Sequence, residues 1–213
     1  MKDKGKTMDT EVFFVLDASG SMYSLRDDTI GGLNAFVDAQ RKVKGKCRVT
    51  VRQFNAESFV THDNIKLKKF PTLVAGDYTP SGCTALYDAI GHTIAHIEKT
   101  HGVEKPKIIV VIVTDGYENA SKEWTHEGVQ RALADHDDWE VVFLGANIDS
   151  KAVASSIGVA AHKTMDYSAS VIGTQSMYES VATNVANVRS GDKEDMAFEE
   201  VDMEKQREAF SKK

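Results

Sequence analysis

The stretch FFVLDASGSMYSL runs four apolar residues straight into Asp17, then places Ser19 and Ser21 on either side of Gly20. Residues at i, i+2 and i+4 of an extended or turning segment can face one side, and glycine lets the backbone turn without a clashing Cβ. One carboxylate and two hydroxyls can therefore converge on a single ion. Two other segments offer matching groups. The apolar run KIIVVIV ends in Thr114, Asp115 and Gly116, and TPSGCTALYDAI sets Thr84 at the head of the most regular helical pattern in the chain. Two carboxylates and three hydroxyls make an all-oxygen set with no well-placed His or Cys, which suits a hard cation, Mg²⁺ or Mn²⁺, more than zinc or copper. Hydroxyls are neutral, so such a cation is only partly neutralised and keeps a water that a partner's acidic side chain can replace.

The elements that must position these groups read as a parallel sheet covered by helices. Short apolar runs at residues 12–17, 48–55, 58–67, 107–115, 140–146 and 162–167 alternate with helical periodicity. Ile30, Leu33 and Val37 mark one helix; Leu86, Ala89, Ile90, Ile94 and Ile97 mark a second. Further helices are expected at residues 129–134, 152–157 and 171–188. Only a few residues separate the second and third strands, so these form an antiparallel hairpin at one edge. The expected fold is α/β: a doubly wound, Rossmann-like, mostly parallel sheet of about six strands with one antiparallel edge strand and helices on both faces. In such a sheet, functional groups gather beyond the carboxyl ends of the strands where strand order reverses. Asp17 and Asp115 both terminate strongly apolar strands.

Composition narrows the function classes. The chain has 213 residues, 41% hydrophobic and 27% charged, with 3 prolines and a formal net charge of -6; one α/β domain fits. Its basic clusters are as short as RKVKGK and KLKK, which argues against nucleic acid as the main partner. The longest aliphatic run has six residues, far from the ~20 of a membrane helix. The charged start MKDKGKTMD has no apolar segment of signal-peptide length behind it. Cys47 and Cys83 fall at opposite ends of the expected sheet and read as free thiols in a reducing compartment, hence a cytoplasmic protein.

DASGS, together with Thr84 and TDG, resembles the metal-ion-dependent adhesion site of von Willebrand factor type A domains. The similarity extends over most of the chain, includes GCTALYDAI and VIVTDGYENAS, and is close to small stand-alone members from bacteria and their phages. It implies that Ser19, Ser21 and Thr84 ligate the ion and that Asp17 and Asp115 bind it directly or through water. It also implies binding of a partner's Glu or Asp and no catalysis. Cys83 stands where Gly often precedes the threonine, and Tyr117 where an acidic residue is common. On this reading a tail at residues 1–10 precedes the domain at 11–189, and the densely charged residues 190–213 form a flexible or helical tail.

Asp-x-Ser-x-Ser alone is weak, because Asp and Ser are ordinary cap and turn residues; the combination with Thr84 and Asp115 carries the assignment. Asp88 either reaches the ion through water or simply favours the first turn of its helix through the dipole. Asn119 and Ser121 line the rim or cap the next helix, and Asp149, near Asn147, is placed to cap another. His92 and His96, four apart, lack a third zinc ligand and fall on the flank and solvent side of their helix. His126 and Glu127 lack the second His of a zinc protease motif.

Three functions compete. The first is a protein-binding module whose Mg²⁺ or Mn²⁺ bridges to an acidic partner residue. The second is an assembly subunit, of a phage particle or chaperone-linked complex, that self-associates or makes permanent contacts. The third is a Mg²⁺-dependent phosphoester hydrolase with Asp17 as nucleophile. Ser19, where such a phosphatase has its second acid, places the hydrolase last.

Overall fold

The computed structural model describes residues 9–100 and 106–211. Of the expected N-terminal tail, residues 1–8 lie outside the described residues, as do residues 212–213 at the other end. Six strands form one sheet: β1 (Thr10–Asp17), β2 (Cys47–Phe54), β3 (Ser58–Lys66), β4 (Lys107–Thr114), β5 (Glu140–Ala146) and β6 (Thr164–Tyr167). Their order is β3-β2-β1-β4-β5-β6. Every pairing is parallel except β2 with β3, which is antiparallel. The hairpin follows from its short connection, since parallel neighbours need a long crossover. β6 is shorter than its apolar text suggests, because Ala161–Lys163 closes into a 3₁₀ turn before the strand begins.

The helices are α1 (Arg26–Arg41), α2 (Leu86–Thr100), α3 (His126–Ala134), α4 (Ser150–Ser156), α5 (Val171–Ser190) and α6 (Glu200–Ser211). Strand alternation divides the core in two. Val12, Phe14, Leu16, Ile109, Val111 and Val113 face α1 and α5, where Leu33, Phe36, Val181 and Val185 meet them. Phe13, Val15, Ile108, Val110 and Ile112 face the other way, onto Leu86, Ile90, Ile94 and Ile97 of α2. Apolar residues on both sides explain why the inner strands read as continuous hydrophobic runs.

The strand order reverses between β1 and β4. Leu16 pairs with Val113, so the next residues, Asp17 and Thr114, end adjacent strands side by side. Cys47 is buried, Cys83 is exposed, and neither is bonded to the other.

The described residues beyond 189, 190–211, pack onto the domain. Met196 is 0% exposed and Phe198 is buried; both join the α1/α5 side of the core. The Met196 N–H donates to Glu140, at 3.0 Å, and Gln206 of α6 donates to the Gly173 carbonyl of α5 at 3.0 Å. The charged text hides two apolar anchors. No helix among the described residues is long and apolar enough to cross a membrane.

Candidate metal centre

Asp17 closes β1 fully buried, with both carboxylate oxygens engaged. One accepts the Ser19 N–H at 2.7 Å, and the other accepts the Thr114 hydroxyl at 2.6 Å. Thr114 is there because of the β1–β4 register. Beyond Asp17 the chain enters a 3₁₀ turn, Gly20–Leu25. The hydroxyls of Ser19 and Ser21 lie 3.1 Å apart, and Ser21 donates to Asp115 at 2.5 Å. Ser19 is buried, Ser21 exposed and Asp115 half-buried, so the group runs from the sheet to the surface.

The third segment is tied in through its backbone. Gly20 N–H donates to the Gly82 carbonyl at 3.1 Å, and Ser81 N–H to the Ala18 carbonyl at 2.7 Å. A positive φ of 78° at Gly82 is a conformation that glycine adopts without strain. Thr84 follows, buried, with its hydroxyl 3.1 Å from where a Cβ on Gly116 would stand. The absence of a side chain at Gly116 lets that hydroxyl approach the Asp115 turn. The structure thus brings together Asp17, Ser19, Ser21, Thr84 and Asp115.

Electrostatics set the demand for a cation. Burial raises the Asp17 carboxyl; hydrogen bonds from Thr114 and Ser19 recover part of this and Asp115 adds to the rise, leaving it pushed up to about 6. Burial also raises Asp115, against the hydrogen bond from Ser21. Among the described residues no basic side chain forms an ion pair with either. Two carboxylates with neutral hydroxyls and no counter-charge fit a hard divalent cation. No cluster of three or more His, Cys, Asp or Glu suited to a metal occurs among the described residues, because hydroxyls make up most of this set.

The surrounding groups have structural work. Asp88 reaches across to the segment after β4, where its carboxylate accepts the N–H groups of Lys122, Glu123 and Trp124 at 2.9, 2.9 and 2.7 Å. Burial pushes its carboxyl up, but those three donors outweigh it and hold the group below its ordinary range. Asn119 and Ser121 cap a helix, but the preceding one. Asn119 accepts the Thr84 N–H at 2.9 Å, Glu118 that of Tyr87 at 3.0 Å and Ser121 that of Asp88 at 3.0 Å. All three serve the start of α2, while α3 is capped by Thr125. The loop after β4 and the head of α2 clasp each other, which fixes Thr84 relative to Asp115. The Glu118 role was not foreseen, since its only sequence signal is a short acidic and polar run. Asp149 caps α4, and Asn147 sits in the left-handed region with φ 58°. His92 bonds Ser58 at 2.7 Å and Glu123 at 3.0 Å, and His96 lies 3.3 Å from Asp63, so both tie the flank of α2 to its neighbours.

The family model described as von Willebrand factor type A domain matches residues 11–210, and the chain belongs to that family. Its reach past residue 189 agrees with the packed C-terminal segment. No curated protein matches the chain significantly. Among solved structures, the chain is similar to proximal thread matrix protein 1 from the mussel byssus with a zinc-occupied metal-ion-dependent adhesion site (18% identity, TM-score 0.65, 84% of this chain and 46% of that one). It is similar to the pilus adhesin SpaC of Lactobacillus rhamnosus GG (12%, 0.71, 86% and 31%). The manganese-loaded TRAP protein of Plasmodium vivax is a third (15%, 0.56, 76% and 69%). At these identities the likeness is one of fold. The chain spans less than half the length of the mussel protein.

Proposed function

We propose that this domain binds a protein partner through a divalent cation, Mg²⁺ or Mn²⁺, held at the carboxyl ends of β1 and β4. The observation that carries the reading is the convergence of Asp17, Ser19, Ser21, Thr84 and Asp115 where the strand order reverses. Ser19, Ser21 and Thr84 supply neutral oxygens. Asp115, half-buried, and Asp17, whose oxygens each hold one hydrogen bond and keep a further lone pair, would supply the negative charge, directly or through water. A partner's Asp or Glu completes the coordination. The zinc-occupied and manganese-loaded relatives support a divalent ion.

A nucleophilic Asp17 is disfavoured by its geometry, for a carboxylate at 0% exposure with two hydrogen-bond donors on it has no approach for a phosphoester. The test is capture of partners from native lysate on immobilised wild-type protein and on Asp115→Ala, loaded in Mg²⁺ and eluted with EDTA. Proteins released by chelator from wild type and absent from the variant are expected. Identical eluates from both would contradict the reading.

A further inference from the structure

Two exposed aromatic rings flank the candidate metal centre. Tyr23 is 67% exposed and Tyr117 56%, and each follows a residue of the centre by two positions, Tyr23 after Ser21 and Tyr117 after Asp115. Ser21 donates to Asp115 at 2.5 Å, so the two rings belong to adjoining loops beside the same oxygens. Val171 and Ile172, both exposed, open α5 at this end of the sheet. They follow β6, which lies two strands from β4, about 10 Å at the usual strand spacing.

Both rings are held in place. Met22 and Leu25, buried, anchor the 3₁₀ turn on either side of Tyr23, and the Arg26 guanidinium lies 5.8 Å from the centroid of its ring. The Tyr117 hydroxyl accepts the Asp149 N–H at 3.1 Å, which ties the loop after β4 to the start of α4. Side chains ordered before a partner arrives lower the entropic cost of docking, and Tyr is enriched among the residues that anchor interfaces. The neighbouring charges, by contrast, are engaged within the protein. Glu118 accepts the N–H groups of Tyr87, Ala120 and Ser121, Asp88 those of Lys122, Glu123 and Trp124 and Asp149 that of Ala152, while Arg26 pairs with Asp27 at 2.8 Å. Ser24, Ser81 and Cys83, exposed in the same loops, are uncharged. A basic residue beside the partner's acid would find these carboxylates already occupied; an apolar one would meet a phenol ring.

We propose that Tyr23 and Tyr117 form an apolar collar on either side of the cation, and that the partner is a protein segment whose Asp or Glu stands directly between apolar side chains. This rests on the metal-binding reading above. The cation supplies the attraction for the carboxylate, which every acidic segment shares, and the two rings supply the choice among such segments by covering the residues next to the acid.

The probe is a displayed peptide library with a fixed central Glu and randomised flanks, selected in Mg²⁺ and eluted with EDTA on wild type, Asp115→Ala and the double variant Tyr23→Ser/Tyr117→Ser. Both tyrosines are exposed, so their replacement carries little risk to the fold, and Mn²⁺ titration followed by electron paramagnetic resonance checks the metal centre of each protein separately. On wild type, apolar residues beside the Glu should be enriched about tenfold over polar ones, the scale set by truncating one interface anchor. That preference should vanish on the double variant while its Mn²⁺ affinity stays at the wild-type value. Polar or basic flanks on wild type, flanks no different from those on Asp115→Ala, or an apolar preference that survives in the double variant each overturn the collar, and where wild type still binds Mn²⁺ they leave the metal centre standing. A double variant that loses Mn²⁺ affinity also overturns it, by placing the tyrosines in metal binding instead. A wild type that binds no Mn²⁺ overturns the metal reading and the collar with it.

Discussion

Asp17 links protonation to folding more directly than any other residue of the site. Its carboxyl is raised from 3.8 to about 6 in the folded protein, so between those values the folded state holds a proton that the unfolded chain has released. Stability of the metal-free protein is therefore greatest below about pH 4 for this group and falls as pH rises through about 6, by roughly 3 kcal/mol in all. Asp115, also raised, acts in the same direction; Asp88 and Glu140, both lowered, act oppositely and lose stability as pH falls. Denaturant unfolding in EDTA from pH 4.5 to 7, on wild type and Asp17→Asn, isolates the group: the wild type should lose stability relative to the variant as pH rises. A constant difference would contradict it. Saturating metal should abolish the wild-type fall, because the ion binds the ionised form. The five site residues were legible because their types are unusual together at strand ends. Tyr78 was not, since nothing local distinguishes a buried phenol that donates to the Asp17 main-chain carbonyl from any other core aromatic.

Among the elements, the clasp between α2 and the loop after β4 decides whether Thr84 and Asp115 keep their spacing. Asp88 alone satisfies three backbone donors there. Asp88→Ala should cost about 2–3 kcal/mol, the penalty for leaving such donors without partners, and should weaken metal binding without removing a ligand. Equilibrium unfolding and Mn²⁺ titration of the variant check both; full stability with unchanged affinity would show the clasp to be dispensable. The sequence left Asp88 between a water-mediated contact to the ion and a favourable place in a first helical turn; the clasp was not legible, because the three donors lie 34 to 36 residues away. Asn119 and Ser121 show the same difficulty: a capping residue reveals that it will cap, but tertiary contact selects which helix. Strands and helices were legible from apolar periodicity, and their ends shifted by a few residues where a 3₁₀ turn intervened, as before β6.

Taken as a whole, the molecule does not end at α5. Met196 and Phe198 bury their side chains in the α1/α5 core, and each such burial contributes about 1.5–3 kcal/mol. Removal of residues 192–213 should therefore destabilise the domain by more than ~3 kcal/mol, seen as a lower melting temperature and exposed apolar surface by dye binding. A truncated protein as stable as the full chain would show that segment to be an appendage. Two apolar residues spaced two apart were the available signal, and the surrounding charge masked them.

Thermal melts decide whether a divalent cation binds at the carboxyl ends of β1 and β4. Wild type and Asp115→Ala are compared in EDTA, Mg²⁺ and Mn²⁺. At a metal concentration about 100 times Kd the wild type should gain ~2.7 kcal/mol, while the variant, folded in EDTA, should not respond. Wild-type curves that superimpose in metal and EDTA would show that no cation binds there, and a variant stabilised as fully as wild type would show that Asp115 is not a ligand.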